Sequence, residues 1–195
     1  VPALADEVGA AAVYWNRRYQ PWGIEVDTQI KAALKDADIH AESFNGALLY
    51  EPWEVKTKQG GPYGVFTPFW KAELALGDPA APRAAPKNLP GLRPEARPAG
   101  DRLEGWGLLP TGPDWGAKLA QYWTPGEAGA LARLEDFLDG PVADYPRLRD
   151  RPSVEGTSRL SPHLHFGEVS PRRIWRQALE AARAEGGAKM EEGVW

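Results

Sequence analysis

Three hydroxyls and one guanidinium fall within the five residues from Thr157 to Ser161, and a Ser-Pro step begins at the last of them. Ser is a preferred helix N-cap and Pro a preferred first helical residue, so Ser161-Pro162 reads as a helix start and Ser170-Pro171 as a second. Free backbone N–H groups at a helix N-terminus, beside hydroxyl donors and an Arg fork, suit a phosphate or pyrophosphate. The plainer alternative is a pair of satisfied helix caps. Arg159 has its own alternative, an internal ion pair with Glu155 or Glu168.

Other polar residues surround this run. Arg147, Arg149 and Arg151 alternate before it, and Arg172, Arg173 and Arg176 follow it. Such cations can meet DNA phosphates, with Arg149 and Arg151 the candidates, although a solvated charged face explains the same pattern. His163 and His165 are two apart on an expected helix and do not share a face, which makes them poor co-ligands. With three His, no Cys and no H-x-x-x-H spacing, no metal site is expected.

Composition sets the bounds. The chain has 195 residues, 43% of them hydrophobic, enough for a core in one ordinary domain or parts of two. No apolar run is long enough to span a membrane, and no secretory signal pattern opens the chain. The absence of Cys excludes a disulfide framework and fits a cytoplasmic protein. A net charge of −4 argues against a generally basic nucleic-acid coat and leaves room for a local basic face. Nine Trp are assigned to packing.

The elements that must position these residues follow from periodicity. Residues 10–15, small and apolar with Val and aromatics, read as a buried strand. Residues 23–38 place Ile24, Ile30, Leu34 and Ala37 at near-helical spacing. Residues 39–50 are extended again, giving the βαβ rhythm of an α/β domain. Thr67-Pro68 opens a helix to about Leu76. Residues 77–113 carry eight Pro and read as an extended linker or as disorder. Thr124-Pro125 with Glu127 is a cap signature for a helix whose stripe is Ala128, Leu131, Leu134, Phe137 and Leu138, closed by Gly140. A short helix over 162–167 and a longer one over 171–183, with Ile174, Trp175, Ala178, Leu179 and Ala182 inward, complete the pattern.

Glu155-Gly156-Thr157-Ser158-Arg159-Leu160-Ser161-Pro162, followed by Gly167-Glu168-Val169-Ser170-Pro171-Arg172, closely resembles the flavin-binding segment of the DNA photolyase/cryptochrome family. The stretch from Val13 to Tyr19 is similar to a strand of that family's antenna domain. The stretch from Tyr63 to Trp70 resembles its Val-Phe-Thr-Pro-Phe helix start. The resemblance implies an internal fragment: the later part of a Rossmann-like α/β antenna domain (1–76), an interdomain linker (77–123) and the start of an all-α FAD-binding domain (124–195).

It also implies FAD held by Tyr145, Thr157, Ser158, Arg159, Leu160 and Ser161, with Tyr145 offering a ring face and a hydroxyl to a half-polar cofactor. A second, antenna chromophore is implied without an identity. Folate-using relatives carry an Asn-Glu pair where this chain has Trp22-Gly23, so a folate held in that manner is not expected. No catalytic side chain is assigned, and the family's Trp electron chain and lesion-pocket acid fall after Trp195. The implied activity is that of a lyase: blue-light-driven repair of pyrimidine dimers in UV-damaged DNA by a monomer, with a cryptochrome-like photoreceptor as the alternative. The isolated piece is expected to bind FAD weakly or not at all and to be inactive.

Overall fold

The structure is a computed structural model and describes residues 1–109 and 111–184. It divides into two compact units, Val1–Gly46 with Ala84–Gly116, and Ala47–Arg83 with the chain from Ala117 onward.

In the first unit, strands β1 (Ala12–Asn16) and β2 (His40–Phe44) pair in parallel, Ala12 opposite His40 and Asn16 opposite Phe44. Helix α2 (Pro21–Asp36) connects them, which is the expected βαβ unit, and α1 (Pro2–Glu7) precedes it. The strands are shorter than the extended runs read from sequence. Nor is the first strand buried: Ala12, Val13 and Trp15 are half-buried and Tyr14 and Asn16 exposed. Period-two alternation puts Val13, Trp15, Ala41 and Ser43 on one face and Tyr14, His40 and Phe44 on the other. Tyr14 is 59% exposed, its ring edge-on to His40 at 5.8 Å.

The inner face of α2 is held by a buried acid more than by an apolar stripe. Asp27 is buried, as is Leu34, whereas Ile24 is exposed. Trp15 Nε1 donates to Asp27 Oδ2 at 3.0 Å, and Arg18 donates to Oδ1 at 2.5 and 3.2 Å. Burial disfavours the Asp27 carboxylate, but these hydrogen bonds and the Arg18 charge outweigh it and hold the carboxyl below its ordinary value.

The Pro-rich stretch is not wholly extended. Short 3₁₀ turns occur at Pro94–Ala96 and Leu103–Trp106, and a helix that the sequence did not announce, α4, covers Trp115–Ala120.

The second unit contains α3 (Phe66–Leu74), α5 (Glu127–Leu138), α6 (Tyr145–Leu148), α7 (Ser161–Phe166) and α8 (Pro171–Ala184). Gly126, at φ 96°, still lies outside the helix, so α5 opens later than Thr124-Pro125 suggests and no side chain caps it. Its buried residues are Ala130 and Leu134, with Leu131, Phe137 and Leu138 half-buried and Ala128 exposed. Trp175, Ala178 and Ala182 of α8 are buried at helical spacing, with Val142, Leu160 and Val169 completing the core.

Helix α7 ends in a left-handed glycine, Gly167 at φ 71°. Gly167 N–H donates to the Leu164 carbonyl and Glu168 N–H to that of His163, the Schellman pattern. This stop delivers the Glu168 carboxylate back to the buried His163, with Nδ1 and Oε2 2.6 Å apart. The Trp123 ring lies edge-on to His163 at 6.0 Å, and the Arg133 guanidinium covers Trp123 at 5.6 Å. The hydrogen bond from His163, and a further one from the Gly126 backbone, hold the Glu168 carboxyl below its ordinary value. One side chain thereby ties the α7–α8 turn to the start of α5.

The segment from Leu49 to Asp78 is fastened to α8. Arg172 Nε and Nη2 donate to the Leu49 carbonyl at 3.3 and 3.2 Å. Trp175 Nε1 donates to Asp78 Oδ1 at 3.4 Å, and Trp70 packs edge-on against Trp175 at 6.0 Å. The Tyr50 hydroxyl donates to the Gly77 carbonyl.

Asp27 and Glu168 both have folded pKa values below their unfolded ones. Their stabilisation is complete above the unfolded carboxyl values of about 4 and is lost as pH falls through the lower folded values. Denaturant unfolding of the full-length protein followed by Trp fluorescence should show a midpoint that drops below about pH 4. Glu168→Gln should flatten that drop, and an unchanged acid profile would remove the carboxylate from the tie. Asp27→Asn should lower stability at pH 7 by about 1–3 kcal/mol, because Arg18 and Trp15 lose a charged acceptor.

Candidate functional site

The loop from Asp150 to Leu160 has no regular ladder, and its path is set by packing against α6. Gly156 is buried, and a Cβ there would lie 3.0 Å from the Leu148 carbonyl and closer still to the Leu148 Cβ. Only glycine lets the loop pass this close. The contact brings Ser158 to the same hollow as Tyr145, the first residue of α6.

That hollow is a cavity of about 260 Å³ whose walls include Tyr145, Ser158, Phe137 of α5, Leu164 of α7, Ile174 of α8 and Leu49. The Tyr145 ring stands perpendicular to Phe137, with centroids 5.8 Å apart. It also carries the Arg149 guanidinium at 6.0 Å. Two residues singled out from sequence, Tyr145 and Ser158, therefore line one cavity.

Thr157, Arg159, Leu160 and Ser161 belong to the same loop and helix start but lie outside that lining. Leu160 is buried at 2% exposure and occupies the N-cap position of α7. Ser161 falls one position inside the helix instead of capping it, and α7 has no side-chain cap hydrogen bond. The satisfied-cap alternative is thus not what the Ser161 hydroxyl does. Arg159 takes its internal option: its Nη1 is 2.9 Å from Glu155 Oε1, and not from Glu168. Its backbone sits at φ 51°, a left-handed conformation uncommon for a side-chain-bearing residue.

The basic residues divide. Arg147 pairs with Asp144 at 3.0 Å and Arg176 with Glu180 at 3.0 Å. Arg172 is spent on the Leu49 carbonyl. Arg149 and Arg151 are exposed, Arg149 with its guanidinium 3.9 Å from Asp150. Trp22, at the place where the folate-contacting pair was sought, is 59% exposed under the Arg18 guanidinium at 5.0 Å.

Sequence reasoning read Phe137, Ile174 and Trp175 as core positions and missed that the same faces bound a cavity. It had no signal for Leu49, which lies 123 positions from Arg172. The described residues include no group of three or more His, Cys, Asp or Glu able to hold a metal, and no helix long and apolar enough to cross a membrane.

A family model described as DNA photolyase matches residues 1–87. The deoxyribodipyrimidine photo-lyase of Agrobacterium fabrum is 47% identical over 180 residues, covering 92% of this chain and 37% of that protein. Cryptochrome-1 of Arabidopsis thaliana is 35% identical, covering 100% of this chain and 29% of its own length. The crystal structure of a bacterial class III photolyase from Agrobacterium tumefaciens superposes with a TM-score of 0.88 at 43% identity, covering 98% of this chain and 39% of that one. The chain spans little more than a third of the photolyases it matches, at 37% and 39%. A shared fold and more than two-fifths identity, extending over nearly the whole of this sequence, make the chain a member of the DNA photolyase/cryptochrome family.

Proposed function

We propose that the whole protein is a light-driven, FAD-dependent enzyme that repairs pyrimidine dimers in DNA. The single observation that carries this reading is the meeting of Tyr145 and Ser158, from separate elements, at one largely apolar cavity. On this reading residues 1–76 are a Rossmann-like antenna-domain remnant, 77–123 the interdomain crossing and 124 onward the start of the helical flavin domain.

The donor set fits one part of FAD. A cavity of about 260 Å³ takes a portion of the cofactor only. Ser158 offers a hydroxyl donor and Tyr145 an aromatic face with a polar tip, beside the apolar walls of Phe137 and Leu164. Thr157, Ser161 and the backbone of Leu160 follow on the same loop and suit the phosphates. Arg159 reaches a phosphate by exchanging Glu155, a swap between two exposed partners that costs little. When bound and reduced, the flavin supplies the light-driven electron that splits the dimer. The chain's own part is to bind, orient and screen it.

Arg149 and Arg151 are the proposed phosphate contacts on UV-damaged DNA, each adding to affinity without reading sequence. A lesion already distorted costs less to extrude from the stack, as is general for enzymes that act on flipped bases, photolyases among them. The similarity to Cryptochrome-1 of Arabidopsis thaliana supports a second reading, a blue-light photoreceptor with the same flavin site and no repair. An antenna chromophore other than a folate held at Trp22-Gly23 is compatible with both.

Thymine-dimer reversal by the full-length protein, with reduced flavin, in blue light against dark, tests the proposal. Repair in light alone is expected; retained flavin without repair would favour the photoreceptor. Ser158→Ala with Ser161→Ala should weaken flavin retention about tenfold or more, two donors being lost. Equal flavin-to-protein absorbance ratios after gel filtration would remove these hydroxyls from the site. Arg149→Gln should reduce the slope of log affinity against log salt by about one on damaged duplex, measured by anisotropy.

A further inference from the structure

Arg172 has the sequence context of a DNA-facing cation, yet its fork points inward. Nε and Nη2 both donate to one acceptor, the Leu49 carbonyl, which has two lone pairs to receive them. Leu49 lies in the same cavity wall as Tyr145 and Ser158. The following segment is fixed to the same helix further on, through Trp175 with Asp78 and through the Trp70–Trp175 ring contact. Those contacts anchor the region around residues 70–78, whereas the guanidinium acts at Leu49 itself. Helix α8 thus contributes Pro171, Ile174, Trp175 and Ala178 to the cavity directly and secures a further wall residue through Arg172.

Resting on the flavin reading, we propose that Arg172 is a positioning residue for the cofactor cavity, acting through the Leu49 carbonyl to hold the Leu49 side chain in the cavity wall. The planar fork matters here. Two donors held in one plane converge on the single oxygen and restrict the direction of the carbonyl, and with it the turn of the Leu49 backbone, where a Lys ammonium would act as a point charge with freely turning donors. Deleting the fork leaves the chemistry of the site intact and loosens one wall.

The test uses the flavin-loaded full-length protein and four variants: Arg172→Met, Arg172→Lys, Leu49→Ala and the Leu49→Ala/Arg172→Met double. Arg172→Met should raise the flavin Kd about tenfold, as expected for losing hydrogen bonds from a charged donor. Arg172→Lys should fall between it and the parent. Leu49→Ala should weaken flavin retention with Arg172 untouched, and the double variant should lose little more than the worse single one, since both act at one point. Additive losses would overturn the inference, because Arg172 would then act other than through Leu49. So would unchanged retention in Arg172→Met together with a salt slope for DNA lowered by about one, the signature of a phosphate contact. If Arg172→Met leaves retention unchanged while Ser158→Ala/Ser161→Ala lowers it, the positioning role alone fails. If neither changes retention, the flavin reading fails with it.

Discussion

The close approach of Gly156 to Leu148 is the constraint on which the helical unit's site depends. A side chain at 156 would set its Cβ against the backbone and Cβ of Leu148, and the loop would have to move away from α6. Ser158 would then leave the wall that it shares with Tyr145. The run after the glycine carries the polar chemistry, but the hydrogen atom in place of a Cβ decides where that chemistry sits. The left-handed Arg159 belongs to the same device. The backbone must turn sharply between the packed Gly156 and the buried Leu160, and the turn falls on a residue whose exposed side chain pairs with Glu155.

A second set of interactions makes this turn part of a unit. The αL stop at Gly167 sends Glu168 back beneath α7, where it accepts from His163 and from the backbone N–H of Gly126, just before α5. A buried His with a carboxylate at one nitrogen and an indole edge beside it is fixed in place. The helices that contribute Phe137, Leu164 and Ile174 to the cavity therefore share one polar tie and one apolar core. Burying an imidazole alone would carry a desolvation cost; pairing offsets it and supplies direction, which Leu134 and Ala178 packing by itself does not.

Much of this was legible in the sequence where the signal is local. Ser-Pro steps, helical stripes and the βαβ rhythm each depend on residues within a few turns of one another. Helix starts were displaced by one to three residues because caps compete with tertiary packing, as the shift from Thr124 to Glu127 shows. Tyr14 looked buried because β-branched and aromatic runs do not say which face a neighbour covers; one helix layer over two strands leaves it exposed. The apolar half of the cavity was hidden for a different reason. Phe137 and Ile174 have the periodicity of core positions, and a cavity wall has the same periodicity as a core.

Arg172 shows where local pattern misleads most. Six Arg flank the loop, and spacing offers no way to separate those that face solvent from those that hold the chain. The structure separates them by acceptor: Asp144 for Arg147, Glu180 for Arg176, a backbone carbonyl for Arg172. A carbonyl acceptor has no sequence signature at all, since every residue carries one. Arg147, Arg172 and Arg176 meet acceptors within the protein, whereas Arg149 and Arg151 are exposed beside the loop. A net charge of −4 over the whole chain is compatible with a local basic edge of this kind.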